Sequence, residues 1–162
     1  MQPQEWRRGQ YRVGTDPALI DVDFVHRFLR DDSYWSRGIS REIVARSIEH
    51  SLAFGLYDES GAVRAQAGFA RAITDYATFA YLADVFVLPE HRGHGLGVWL
   101  IECVRAHPAL QGLRVWRLAT ADAHGLYEKH GFRAPSHPER MMEIIDPRVY
   151  EGDQPVAKGE VT

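Results

Sequence analysis

Apolar residues near the start of the chain recur at helical spacing. Val22, Val25, Phe28 and Leu29 fall on one stripe, and Asp21 just ahead of them suits an N-cap. A second helix is predicted after Ser40, with Ile43, Val44 and Ile48 on its inner face. Between the two, "DDSYWSRGIS" holds turn formers and two aromatics and predicts a loop. Ahead of both, Tyr11 to Val13 predicts a short strand that Asp16-Pro17 breaks.

The period then changes. Residues 52–58, 63–73 and 77–87 are extended runs, punctuated by Glu59-Ser60-Gly61 and Thr74-Asp75-Tyr76. Such short spacers predict antiparallel hairpins. The third run is apolar on nearly both faces, as a central strand should be. Helical spacing returns at Leu96, Leu100, Cys103 and Val104, and Pro108 ends that stretch. Residues 113–120 predict a strand parallel to the preceding one, if strand, helix and strand form one unit. Residues 123–130 predict a short helix with Gly131 at its left-handed C-cap, and residues 140–145 a last strand. These elements make an α/β chain: a mixed sheet with helices on both faces, one domain over residues 1–146 and a polar, proline-broken tail over residues 147–162.

Composition narrows the function without choosing it. The chain has 162 residues, 45% hydrophobic and 25% charged, as a globular domain with a real core requires. A net charge of -3 argues against nucleic acid as the main partner. Its single cysteine, Cys103, excludes an internal disulfide and suits a reducing compartment. The N-terminus lacks an apolar signal core and no run would span a bilayer, so the expectation is a cytoplasmic protein with no membrane partner.

One stretch carries chemistry. "PEHRGHGLGVWL" puts three glycines into five residues between a predicted strand and a predicted helix. The first turn of a helix has N–H groups without intrahelical partners, and the helix dipole favours an anion there. Glycine lets a phosphate approach the backbone, and Arg92 adds a permanent charge beside it. The spacing is neither G-x-x-x-x-G-K-[ST] nor G-x-G-x-x-G, since position 98 is valine. On spacing alone, a tight connection that binds nothing stands level with a phosphate cradle.

The combination "VFVLPEHRGHGLG", then a helix, a strand and "LYEKHGF", resembles the GNAT N-acetyltransferase superfamily. Arg92, Gly95 and Gly97 fill that family's R/Q-x-x-G-x-G/A loop, and Tyr127, Lys129, Gly131 and Phe132 fill its later motif. The element order agrees from about Tyr11 to Ile145. The resemblance implies a mostly antiparallel mixed sheet whose two central parallel strands splay apart, flanked by helices on both faces. It implies acetyl-CoA as acyl donor. The pantetheine arm would pair with Val85, Phe86 and Val87, and the pyrophosphate would sit on Gly93, His94, Gly95, Leu96 and Gly97 beside Arg92. One position departs: where many members carry asparagine seven residues before the tyrosine, this chain has Thr120, and Asp122 is the candidate cap.

Acetyl transfer to an amine needs the amine neutral, the developing oxyanion stabilised and the leaving thiolate protonated. An alkyl amine with a pKa near roughly 10.4 is mostly charged at pH 7, so something must accept its proton. Tyr127 is the candidate acid, with a core tyrosine as the plainer reading. The backbone N–H of Val85 could serve as a small oxyanion hole. Several relatives carry a glutamate where this chain has Ala83. Asp84 is the neighbouring candidate base, although strand alternation turns it to the other face unless a bulge intervenes. A water chain is the alternative. Cys103 lies on an apolar stripe and reads as core, which favours direct transfer over an acyl-enzyme. His91 and His94 flank the loop without metal-ligand spacing, and no metal is expected.

The resemblance also implies an acceptor wall in the loop between the first two helices. Tyr34 and Trp35 there, with acids beside them, suit a cation, and Asp75 in the hairpin turn is a further candidate. The expected acceptor is the primary amine of a small molecule or peptide. A non-catalytic acyl-CoA-binding sensor, or a transferase for a longer acyl group or an oxygen acceptor, fits the same residues. A homodimer is compatible with the sequence.

Overall fold

The structure is a computed structural model that describes residues 1–150. Six strands form one sheet in the order β1 to β6: Glu5–Arg8, Tyr11–Gly14, Leu52–Asp58, Ala65–Thr74, Phe79–Val87 and Val115–Arg117. All neighbours run antiparallel except β5 and β6, which are parallel. Four α-helices complete the fold among the described residues: α1 (Val22–Asp31), α2 (Arg41–Glu49), α3 (Leu96–Ala106) and α4 (His124–Glu128).

The helix starts follow the caps. The Asp21 carboxylate accepts the Phe24 N–H at 2.9 Å, and the Ser40 hydroxyl accepts the Ile43 N–H at 3.4 Å. Each satisfies one N–H that the first helical turn leaves open. α1 and α2 bury Val25, Phe28, Leu29, Val44 and Ile48 on one sheet face, against Ala53, Phe69 and Phe86. The Phe28 and Phe86 rings stack at 3.8 Å and 6°. α3 covers the other face with Leu96, Trp99, Leu100, Ile101, Cys103 and Val104 over Phe54, Leu56, Ala70, Ala72 and Leu82. Helices therefore flank both faces, as the periodicity implied.

One strand is added and two expectations are corrected. Residues 5–8 form an edge strand that the sequence did not signal, because Trp6 is the one apolar residue among charges in "EWRR". Residues 140–145 form no strand: Arg140 ends a 3-10 turn and residues 141–145 run as coil, with Met142 97% and Ile144 101% exposed. The strand expected over residues 113–120 is shortened to Val115–Arg117. Of the expected tail, residues 147–150 form a 3-10 turn whose Tyr150 packs on the α1–α2 core. The remainder lies outside the described residues.

The short β6 creates the feature that matters most. Its pairing with β5 ends at Tyr81 and Arg117, yet β5 continues to Val87. Beyond that point the two parallel strands part, and among the described residues one edge of residues 82–87 has no strand beside it. On its other edge β5 stays locked to β4. A β-carbon at Gly68 would lie 2.6 Å from the Phe86 carbonyl oxygen, so only glycine allows that approach. Gly68→Ala is therefore expected to push β4 and β5 apart and to cost about 1–3 kcal/mol. Urea denaturation would show this, and an unchanged midpoint would mean that the strands do not press together there.

Candidate functional site

Between β5 and α3 the chain makes a 3-10 turn over Pro89–His91 and then crosses the glycine stretch. Gly93 and Gly95 have φ of +81° and +72°, the left-handed region that glycine enters without penalty. Among the described residues, no N–H from Gly93 through Val98 donates a hydrogen bond to protein, and no side chain caps α3. These six consecutive donors stand at the positive end of an 11-residue helix. A methyl group at Gly93 would meet nothing within 4 Å, so the space above the turn is open. The turn is fixed from beneath: Leu96 and Trp99 are buried, and the Arg92 Nε donates to the Val87 carbonyl at 2.9 Å. The terminal nitrogens of Arg92 make no hydrogen bond among the described residues and remain available.

The next segment back is the parting edge of β5. Phe69 stands opposite Phe86 and Arg71 opposite Ala83, so Ala70 faces two residues, Asp84 and Val85. This is a β-bulge, and Asp84 occupies it at φ +53°. Counted up from Leu82, Asp84 belongs on the α3 face; counted down from Phe86, it belongs on the α1–α2 face. The bulge resolves the count in favour of α1–α2. There Oδ2 accepts the Arg71 Nε at 2.5 Å and Oδ1 accepts the Trp35 Nε1 at 3.0 Å. Arg71 reaches on to Ser51 Oγ at 3.1 Å, and Ser51 donates to the Ser47 carbonyl of α2. Both Asp84 oxygens are thus engaged. Each oxygen accepts one of these bonds and keeps a second lone pair.

The α1–α2 loop closes the wide end of the splay. It is stiffened from within: Ser33 Oγ donates to the Leu29 carbonyl at 2.6 Å and accepts the Ser36 N–H at 3.1 Å. Trp35 ties it to β5 through Asp84, and the Tyr34 hydroxyl accepts the Ala121 N–H at 2.8 Å on the segment that follows β6. One loop therefore holds both parted arms. The Tyr34 and Trp35 rings meet edge to face at 5.0 Å.

These pieces enclose a cleft of about 550 Å³. Phe28, Asp32, Tyr34 and Trp35 form one wall, Val85, Phe86 and Val87 the back, the Arg92-to-Gly97 turn one end, and Asp122 and Leu126 the far side. The structure thus brings the glycine turn, the strand edge and the two loop aromatics to one place. Phe28, Asp32, Asp122 and Leu126 also reach it, although periodicity marked Phe28 only as core.

Other candidates fall elsewhere. Tyr127 lines an adjoining groove of about 830 Å³ together with Trp116, Thr120 and Phe132, and its ring packs edge to face with Phe132 at 5.9 Å. Burial pushes its hydroxyl up to about 12, helped by the charges of Tyr34 and Asp122 on the cleft side. Asp122 does not cap α4; the Thr120 hydroxyl accepts the Ala123 N–H at 3.0 Å. Asp75 is corrected: it does not line the cleft, and its carboxylate closes its own turn. It accepts the N–H groups of Ala77, Thr78 and Phe79 and the Thr78 hydroxyl. Those bonds, the Thr78 hydroxyl first, hold it well below the usual carboxylate range. Burial, aided by the Glu102 charge, pushes the Cys103 thiol up to about 12, so it supplies no thiolate near neutrality.

Comparison with known proteins agrees with this fold. A family model described as "Acetyltransferase (GNAT) domain" matches residues 49–134. A protein of Gibberella zeae, itself named only provisionally as an acetyltransferase, is 37% identical over 146 residues, which cover 79% of this chain and 81% of that one. A Xanthomonas campestris crystal structure assigned to the GNAT family superposes with a TM-score of 0.81 at 50% identity, covering 86% of this chain and 96% of that one. A Clostridium acetobutylicum protein crystallised with acetyl-CoA shares the fold, with a TM-score of 0.59 at 17% identity, covering 83% of this chain and 94% of that one. The fold is that of an acyltransferase. The chain belongs to the GNAT acetyltransferase family.

The Arg71–Asp84 pair should behave as one unit, since the two side chains are only 15% and 7% exposed. Removing either partner leaves a charge with little water around it and is expected to cost up to roughly 3–5 kcal/mol. The double variant Arg71→Ala/Asp84→Ala should cost less than the sum of the singles in a denaturation cycle. Strict additivity would show that the pair does not organise the bulge.

Proposed function

We propose that this chain is an acetyl-CoA-dependent N-acetyltransferase that moves the acetyl group directly to a primary amine of a small molecule or peptide. One observation carries the reading: among the described residues, six unpaired backbone donors and the free terminal nitrogens of Arg92 adjoin a strand edge that has lost its neighbour. The first feature suits a diphosphate, and the second suits an amide-bearing arm that adds to the edge of β5 as a strand would. Acetyl-CoA has both, and when bound it supplies an activated acetyl thioester.

The residues then divide the work. The N–H groups from Gly93 to Gly97 and Arg92 would hold the diphosphate; the backbone of Val85, Phe86 and Val87 would align the arm. Gly93 and Gly95, both left-handed, keep that cradle free of side-chain bulk, with open space above Gly93. Tyr34, Trp35 and Asp32 would receive the amine, ring faces and a carboxylate together suiting a cation. Asp84 supports this wall by positioning Trp35. Asp84 through a free lone pair, or a water chain, would take the amine proton. Tyr127 would keep its proton across the physiological range and donate it to a departing thiolate. The buried Cys103, raised by its surroundings, favours direct transfer without an acyl-enzyme.

Release of free CoA over a panel of amines tests the reading. Tyr127→Phe is expected to lower kcat about 100-fold while leaving acetyl-CoA binding nearly unchanged. Equal rates would remove Tyr127 from the chemistry, and no release with any amine would favour a sensor. Gly95→Val should weaken acetyl-CoA binding by at least about tenfold, because a β-branched residue is strained at that φ. Normal binding would displace the diphosphate from this turn.

The pH profile has a defined sign. Tyr127 loses its proton only as the pH approaches its raised value of about 12. kcat/KM should therefore climb between pH 7 and 10 as the amine deprotonates, without an alkaline fall. A fall centred below pH 10 would assign the acid to another group.

A further inference from the structure

The hairpin of β1 and β2 turns over the two residues Gly9 and Gln10, with Gly9 at φ +58°. Its tip is docked on the 3-10 turn that leads into the glycine stretch. The Tyr11 hydroxyl lies 3.3 Å from His91 Nδ1, and the two rings meet edge to face at 5.9 Å. The Gln10 carbonyl accepts the Glu59 N–H at 2.9 Å, which pins the tip to β3. Arg8, directly across from Tyr11, reaches over the turn itself. A methyl group built at Gly95 would meet both of its terminal nitrogens at 3.8 Å.

The hairpin carries three arginines, and they are not equivalent. Arg7 is paired with Glu59, and Arg12 with Glu5 and Glu59. Arg8 makes no hydrogen bond or ion pair among the described residues, although it is the one placed at the start of α3. That place is unfavourable for a cation on its own, because the helix dipole and six bare N–H groups are already positive there. An anion on the turn reverses the sign of that interaction.

We infer that Arg8 is a cofactor-binding residue: its guanidinium closes over the glycine turn and pairs with a phosphate of CoA, opposite the backbone cradle. The assignment rests on the proposed acetyl-CoA site and adds a strand far from either family motif to it. With Arg92 and Arg8 both present, the turn offers two guanidinium groups, each able to pair with phosphate oxygens. The hairpin thereby becomes part of the donor site.

Calorimetric titration of the full chain with CoA and with 3′-dephospho-CoA, at fixed ionic strength, tests this. Arg8→Gln is expected to weaken CoA binding about tenfold, the loss of one charge-assisted contact. Arg8→Lys should recover part of that, and the ligand-free Arg8→Gln protein should keep the wild-type thermal midpoint. An equal loss with both ligands places Arg8 on the diphosphate; a loss confined to CoA places it on the 3′-phosphate. Wild-type affinity of Arg8→Gln for both ligands, or a lowered midpoint that accounts for the loss, overturns the inference. Failure of the wild type to bind CoA at all would instead overturn the proposed function.

Discussion

A run of backbone N–H groups without acceptors is tolerable only where water or an anion can reach it and only if something else holds the backbone in shape. Here that run extends from Gly93 through Val98, and the molecule is arranged around it. The shape is held by groups below and beside the turn: Leu96 and Trp99 sunk into the α3 core, Arg92 stapled to the Val87 carbonyl, His91 against Tyr11. None of these uses the donors themselves. The turn is rigid and unsatisfied at once, the condition for binding an anion without reorganisation.

A second constraint lies next to it. A sheet normally consumes the edges of its inner strands, yet residues 82–87 of β5 must keep one edge free while staying in the sheet. Shortening β6 frees that edge, and the bulge at Asp84 turns β5 locally so that its other edge stays paired with β4. The two arms are then bridged by the α1–α2 loop, through Trp35 to Asp84 and through Tyr34 to Ala121. The residues proposed to receive the acceptor are thus also the fastening of the splay. A substitution there would alter binding geometry and stability together.

How much of this was legible in the sequence follows from how local each feature is. The caps at Asp21 and Ser40, the α3 stripe and the glycine turn depend on a few consecutive residues, and they stand where the pattern put them. The bulge does not: alternation along β5 reads equally well in either register until Ala70 is seen facing two residues. Asp75 looked like a free acid because sequence does not show that three following N–H groups fold back onto it. The apolar "RMMEII" resembled a strand by composition, but β6 ends before an ordered partner could form beside it. Arg71 left a trace, as a charge inside an otherwise small and apolar run in β4. Arg8 left none, since nothing in "EWRR" distinguishes the arginine that reaches the turn from the one paired with glutamate.

The central claim is that the backbone from Gly93 to Val98 is the anion-binding element. An amide-resolved NMR titration of the protein with acetyl-CoA addresses it directly. The account predicts that the N–H resonances of Gly93, Gly95, Leu96 and Gly97 shift first and furthest, and that pantetheine without phosphates leaves them in place. Binding of acetyl-CoA with those resonances unmoved would contradict it.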